Sequence, residues 1–91
     1  MRIRLEWSEE KNKKLIKERG ISFEAITSYI ESGAVAAIAP GLGRFIHQKQ
    51  FLVIVKNYIY IVPFVEDKNK IFLKTIIPSE KMTKLYLSGG L

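Results

Sequence analysis

Lys74 stands out among the residues that could take part in chemistry, because it interrupts an otherwise apolar run. The segments Ile71-Phe72-Leu73 and Thr75-Ile76-Ile77 flank it, and burying an unpaired ammonium group in such a run is costly. The side chain must therefore reach water or an anion. Two interpretations stay open, a lysine that protects an exposed strand edge and a lysine that contacts a phosphate.

Further cations follow Lys74 on a predicted C-terminal helix. Lys81 and Lys84 are three residues apart and share a helix face. They form either a solvated surface or, together with Lys74, a set of donors that converges on one phosphate near a helix N-terminus. Tyr86 either stacks on a nucleobase or belongs to the core. Residues 68–84 contain five lysines against the single acid Glu80, so this stretch is the most one-sided in charge.

A second group of candidates lies on the strand predicted over residues 44–55. Arg44, His47 and Lys49 are placed on one side of it. His47 is the single histidine of the sequence, and histidine is the residue type whose ordinary pKa suits proton transfer near neutral pH. It is either a surface histidine or an acid–base catalyst.

The composition argues against several classes of function. The 91 residues include no cysteine, which excludes disulfides, thiolate metal sites and cysteine redox chemistry. With one histidine and no paired acids on an inward strand face, we expect no metal and no cofactor. Gly41-Leu42-Gly43 predicts a turn rather than a phosphate loop, because neither a helix nor a Lys-Ser/Thr pair follows it.

The charge balance indicates the kind of partner. Fifteen Lys and Arg against nine Asp and Glu give a net charge of +6, which favours a polyanion such as nucleic acid, or an acidic protein segment. No apolar stretch is long enough to cross a membrane and the N-terminus lacks a signal-peptide core. We therefore expect a soluble cytoplasmic protein with no membrane partner.

These residues must be positioned by a small α+β fold, and we predict a single domain over residues 1–91. Ser8, Ser22 and Ser79 each have the character of a helix N-cap. The predicted order is a strand at Arg2–Trp7, helices at about Glu9–Arg19 and from Ser22 to Gly33, a short strand from Ala34, an antiparallel meander at about Arg44–Val55, Tyr58–Glu66 and Ile71–Ile77, and a helix from Ser79 to about Leu87.

Two details of the meander carry their own predictions. Lys56-Asn57 suits a two-residue hairpin, and Pro63 predicts an edge or a bulge in the middle strand. The meander strands are apolar on both faces, which one layer of helices cannot cover. Either the last helix crosses to the far face, or an apolar face bearing tyrosines remains for a partner protein.

The order of several short motifs resembles that of the BrnT-like toxins of type II toxin–antitoxin systems. The motifs span nearly the whole chain and are Glu6-Trp7, Lys11, Gly20-Ile21-Ser22-Phe23-Glu24-Ala25, Ile76-Ile77 and Lys81-Met82-Thr83-Lys84-Leu85-Tyr86. The resemblance implies a RelE/ParE-like fold and a prokaryotic endoribonuclease held inactive by an antitoxin encoded beside it. Operator DNA would be bound only through the toxin–antitoxin complex. The chain departs from the family pattern at Arg19, where His is usual, and at Glu80, where a basic residue is usual.

From the resemblance and the basic cluster we expect metal-independent RNA cleavage, in which the RNA 2′-hydroxyl attacks the adjacent phosphate. Lys74, Lys81 and Arg44 would stabilise the developing charge and His47 would transfer the proton. The residues expected to bind RNA are Lys11, Lys49, Lys84 and Tyr86. The alternative is a non-catalytic, degenerate toxin that serves as an antitoxin partner or a nucleic-acid-binding module, and Glu80 favours it.

Overall fold

The structure is a computed structural model, and it describes residues 4–41 and 48–87. The elements in these ranges follow the predicted order of strand, two helices, meander and terminal helix, so the α+β class is confirmed. They are β1 (Arg4–Glu6), α1 (Glu9–Arg19), α2 (Phe23–Glu31), β2 (Val35–Pro40), β3 (Lys49–Val55), β4 (Tyr58–Asp67), β5 (Lys70–Leu73), β6 (Ile77–Pro78) and α3 (Glu80–Leu87).

The three helices begin at the three predicted serines. The Oγ atom of each accepts a hydrogen bond from a backbone N–H three residues later, at 3.2 Å for Ser8 and 3.1 Å for Ser22 and Ser79. These bonds satisfy N–H groups that the first helical turn leaves without partners. Helix α1 ends at Gly20, whose φ of 67° is a left-handed conformation that glycine adopts without steric cost.

The strands form one sheet in the order β1-β5-β4-β3-β2, with β6 also paired to β4. Strands β3 to β5 make the predicted antiparallel meander, and β2 extends it by pairing antiparallel with β3. Lys56 and Asn57 turn the β3–β4 hairpin with φ values of 52° and 64°, as a two-residue turn of the I′ kind requires. Strand β1 lies parallel to β5, with Leu5 opposite Ile71, a pairing that the sequence did not predict.

The prediction made from Pro63 was wrong in its location. Strand β4 is neither at the edge nor bulged at this residue, and Pro63 pairs directly with Gln50 of β3. The interruption lies in the neighbouring strand instead: the predicted strand Ile71–Ile77 is divided into β5 and β6. The carbonyl of Pro63 points toward this gap and accepts a hydrogen bond from Lys74 N at 2.8 Å. Because proline has no N–H, it cannot provide the next bond that a continuous strand would need.

The main core lies between the sheet and the layer formed by α1 and α2. Two stacked aromatic pairs contribute to it, Trp7 with Phe23 at 5.6 Å between ring centroids and Phe51 with Phe64 at 4.2 Å. Trp7 is half-buried and packs against this core. The buried members of this core are Leu15, Ile21, Phe23, Ile26, Phe51, Val53, Val55, Val62, Phe64, Ile71, Leu73 and Ile76.

The far face of the sheet is covered in part. Leu52 and Ile59 alternate with the core residues of β3 and β4, so they point away from α1 and α2, and both are fully buried. Helix α3 lies against β4 and is the described helix that can cover them. Other apolar residues of this face, such as Ile61 and Val65, are half-buried. The predicted arrangement in which the last helix crosses to the far face therefore holds for part of the sheet. The prediction of a far face bearing tyrosines was wrong, because Tyr60 packs against the main core, on the side of α1 and α2. No helix in the described ranges is long and apolar enough to span a bilayer.

Candidate functional site

Lys74 lies at the break between β5 and β6, where its backbone is fixed and its side chain is free to face solvent. The residue is exposed, and its Nζ lies 5.5 Å from the centroid of the Phe72 ring, within range of a cation–π contact. Phe72 and Lys74 are two residues apart and lie on the far face of the sheet. The break in the strand thus lets the ammonium group avoid burial, as the sequence requires.

A concave site of about 280 Å³ surrounds this lysine. We call it the Lys74 hollow, and it is lined by Gln48, Gln50, Pro63, Lys74, Thr75 and Ile77. Its polar members come from two different segments, the start of β3 and the crossover after β5. Gln50 lies opposite Pro63 in the sheet, which places its amide on the same face as Lys74.

The Lys74 hollow can hold an anion. An ammonium group, two amide groups and a hydroxyl group provide hydrogen-bond donors, and no carboxylate is among its described lining residues. Charge-assisted bonds from lysine to a phosphate are stronger than bonds between neutral groups. The described lining contains no group with an ordinary pKa near neutrality, so these residues can bind and stabilise charge but do not by themselves provide a proton acceptor.

The predicted residues of α3 lie farther along β4. Thr83 Oγ1 accepts a hydrogen bond from Ile59 N at 2.8 Å, and Ser79 N donates to Ile59 O at 3.0 Å. Helix α3 is therefore attached to β4 at Ile59, whereas Lys74 is attached to β4 at Pro63. These two attachment points are four residues apart along the strand, which corresponds to a distance of about 13 Å. The convergence of Lys74 with the lysines of α3 on one phosphate stays a prediction.

The side chains of α3 itself are exposed. Lys81 faces solvent, and Tyr86 is 46% exposed. Lys84 Nζ lies 3.4 Å from Glu80 Oε1, one helical turn away, so the acid that departs from the family pattern neutralises part of this lysine's charge. Such exposed pairs contribute only about 0.3–0.5 kcal/mol.

Two other predicted RNA-binding residues lie on the opposite side of the sheet. Lys49 is directly opposite Phe64, a core residue, and its Nζ pairs with Glu66 at 2.8 Å. Lys11 lies in the first turn of α1, in the helical layer. The structure does not bring either residue to the Lys74 hollow. Arg44 and His47 lie outside the described residues.

Gln48, Gln50 and Thr75 are site residues that the sequence analysis missed. A usable signal existed, because two glutamines spaced two apart in an apolar strand must share one face. Lys49, which was predicted to bind RNA, lies on the other side of this strand. Only the pairing of β3 with β4 shows which of the two sides faces Lys74.

A second polar arrangement joins α1 to α2, and it is structural. Asn12 is 3% exposed. Its Oδ1 accepts from Phe23 N at 2.8 Å, and its Nδ2 donates to Glu24 Oε1 at 2.7 Å and, at 3.5 Å, to Glu9 Oε1. The Asn12 bond, followed by the backbone bond at Glu24, lowers the pKa of the Glu24 carboxyl below its ordinary value of 4.5. The network fixes the angle between the two helices.

Arg19 extends from the same corner to the segment that carries Lys74. Its guanidinium Nη1 donates a hydrogen bond to the backbone oxygen of Ile76, and Ile76 is fully buried. The crossover between β5 and β6 is therefore held from both sides, by Pro63 at Lys74 and by Arg19 at Ile76. The residue that replaces the usual histidine of the resembled family thus positions the crossover.

Comparison of the chain with protein-family models, with curated proteins and with solved structures gives no match. Among the described residues, no three His, Cys, Asp or Glu side chains are grouped closely enough to hold a metal ion.

Proposed function

We propose that the chain is the toxin component of a type II toxin–antitoxin system of the BrnT-like kind, acting on RNA in the cytoplasm. The observation that carries the proposal is the Lys74 hollow, where one cation and three neutral polar side chains meet on an exposed face and no acid is among the described lining residues. The order of the motifs from Glu6 to Tyr86 supports the family, and the charge of +6 supports a polyanionic substrate.

The proposed reaction is cleavage of RNA by its own 2′-hydroxyl group. The 2′-oxygen forms a bond to the adjacent phosphorus and the bond from phosphorus to the 5′-oxygen breaks, which leaves a cyclic 2′,3′-phosphate. His47 accepts the 2′ proton, and the 5′-oxygen takes a proton from a water molecule as it leaves. Lys74, assisted by Lys81 and Arg44, stabilises the charge on the phosphate oxygens. No metal ion takes part.

The proposed protein partner is an antitoxin encoded next to this chain. Apolar side chains on and beside α3 support a protein contact there, because large apolar residues in one exposed region are typical of interaction surfaces. Leu85 and Leu87 of α3 are 61% and 37% exposed, and Ile77, three residues before the helix, is 40% exposed. Binding of the antitoxin at α3 would cover Lys81 and Lys84 as well.

The experiment that tests the proposal measures RNA binding and RNA cleavage, in the presence of chelator, for Lys74→Gln and Lys70→Gln. Lys70 is a matched control, since it lies at the start of β5, on the same face as Phe72, and is exposed but does not line the hollow. Loss of one transition-state donor costs about 10²–10³-fold in rate, and loss of one phosphate contact on single-stranded RNA lowers the salt slope of log K by about 0.7. We expect both effects for Lys74→Gln and neither for Lys70→Gln. Equal behaviour of the two variants would remove the Lys74 hollow from the mechanism.

A non-catalytic RNA-binding toxin is the second candidate, and one observation favours it. No side chain among the described residues of the hollow can accept a proton near neutral pH. This candidate is favoured if the chain binds RNA and Lys74→Gln weakens that binding, but the chain does not cleave RNA and its induction does not arrest growth. Cleavage that His47→Ala reduces by about 10²-fold or more would select the catalytic one.

A further inference from the structure

A larger concave site lies on the other side of the molecule, at the corner between α1 and α2. It has a volume of about 410 Å³, within the range of small-molecule sites in proteins. Three structural parts meet there: the end of α1, one side of α2 and the β3–β4 turn. We call it the corner pocket. It shares no lining residue with the Lys74 hollow.

Two cations from distant parts of the chain line the corner pocket. Arg19 comes from the last turn of α1 and Lys56 from the β3–β4 turn. The bond from Arg19 to the carbonyl of Ile76 orients the guanidinium and uses one of its five N–H donors, so the remaining donors are available to an anion. No carboxylate is among the described residues that line the pocket. Its charge therefore favours an anionic ligand.

The pocket also has an aromatic side. Tyr29 lies one turn after Ala25 on α2, and Tyr60 lies on β4; both are half-buried against the core and both line the pocket. Contact with the core restricts the two rings, so ordering them on binding costs little conformational entropy. Aromatic rings of this kind stack on nucleobases of any sequence.

We infer that the corner pocket binds a nucleotide, with the phosphate at Arg19 and Lys56 and the base against Tyr29 and Tyr60. A free mononucleotide and one nucleotide of an RNA strand present the same chemistry. The inference goes beyond the proposed RNA cleavage, because no residue of the corner pocket lines the Lys74 hollow. Neither cations alone nor tyrosines alone indicate such a ligand, but their presence around one pocket does.

The test is a titration of the ¹⁵N-labelled full chain with AMP, UMP, adenosine and inorganic phosphate, followed by the amide signals of Gly20 and Lys56. We expect saturable shifts at these amides with either mononucleotide, and at least 10-fold weaker binding of adenosine and of phosphate. Lys56→Gln should weaken mononucleotide binding at least 5-fold. Lys68→Gln is the control, because Lys68 is also an exposed turn lysine with positive φ, 57° against 52° for Lys56.

A second variant tests the aromatic half of the site. Tyr29→Leu should weaken the binding of AMP at least 3-fold and leave the weak binding of phosphate unchanged, and a dispersed amide spectrum will show that the variant is folded.

Equal weakening by Lys56→Gln and Lys68→Gln, or mononucleotide shifts confined to the amides around Lys74, would overturn the inference. A titration with a short RNA distinguishes the two sources of the nucleotide. If the RNA shifts the Gly20 and Lys56 amides at a lower concentration than AMP does, the ligand of the pocket is one nucleotide of an RNA strand. If the RNA binds as weakly as AMP or more weakly, the ligand is a free nucleotide.

Discussion

The two helical regions of this molecule are attached to one sheet in different ways. Helices α1 and α2 bury Leu15, Phe23 and Ile26 in the main core and are joined to each other through the buried Asn12. Helix α3 has no buried residue, and hydrogen bonds at Ser79 and Thr83 attach it to the backbone of Ile59. The first region is an integral part of the core, whereas the second is held mainly at its N-terminal end.

This difference indicates which region can change without loss of the fold. Regions with few buried apolar contacts open locally at low free-energy cost, so α3 can move or change partner while the sheet stays folded. The corner of α1 and α2 cannot, because its opening would expose the core. We therefore expect substitutions in the corner to act on global stability and substitutions in α3 to act locally.

The largest expected effect is that of Asn12→Ala. The substitution leaves the buried N–H of Phe23 without its acceptor and removes the bond to the Glu24 carboxylate. The buried donor left without its acceptor costs about 1–3 kcal/mol of unfolding free energy, to be measured by urea denaturation. Asn69→Ala, at an exposed turn position, should change it by less than about 0.5 kcal/mol. A similar small loss for Asn12→Ala would mean that Asn12 does not hold the corner.

A smaller and local effect is expected for Thr83→Val at the base of α3. The variant keeps the shape of the side chain but loses the acceptor for Ile59 N–H and the donor to Ser79 O. We expect a loss of about 1 kcal/mol and faster hydrogen exchange at the Ile59 amide, while amides of the main core keep their protection. Thr75→Val, which removes a hydroxyl with no described hydrogen bond, should leave exchange at Ile59 unchanged. Uniformly faster exchange across the sheet would show that α3 unfolds only with the whole domain.

The smallest effect concerns pH and Glu24. Its pKa is lowered in the folded protein, mainly by the bond from Asn12. The stabilisation is therefore present above the ordinary value of 4.5 and is lost as the pH falls from that value through the lower folded pKa. Glu24→Gln should make the fall in melting temperature below about pH 4.5 shallower, as followed by circular dichroism. Glu18→Gln, on the exposed side of α1, serves as the control. A parallel pH profile for wild type and Glu24→Gln would contradict the assignment.

Local signals in the sequence predicted the elements well. The serines at the three helix starts, Gly20 at the end of α1 and Lys56-Asn57 in the hairpin each act through bonds or dihedral angles within a few residues. For this reason they can be interpreted without knowledge of the tertiary structure.

The candidate site was predicted less completely, because it depends on contacts between distant residues. Lys74 was identified from its apolar neighbours, but its partners Gln48 and Gln50 follow from the register of β3 against β4. Asn12 gave no signal, since it lies among lysines in a strongly polar helix and is buried only when α2 packs beside it. The last predicted strand is divided into β5 and β6 because of Pro63 in the neighbouring strand β4. The sequence of residues 71–77 alone therefore does not reveal the break.

The parallel pairing of β1 with β5 has a consequence for the order of events during synthesis. Residues 4–6 leave the ribosome early, but their partners are residues 70–72, so β1 and the neighbouring Trp7 must wait for most of the sheet to be made. The hairpins β2–β3 and β3–β4 join close neighbours and can form first. Closure of the long connection through α1 and α2 is then the slow step, and we expect the Trp7 fluorescence change to follow formation of the β-sheet signal in refolding.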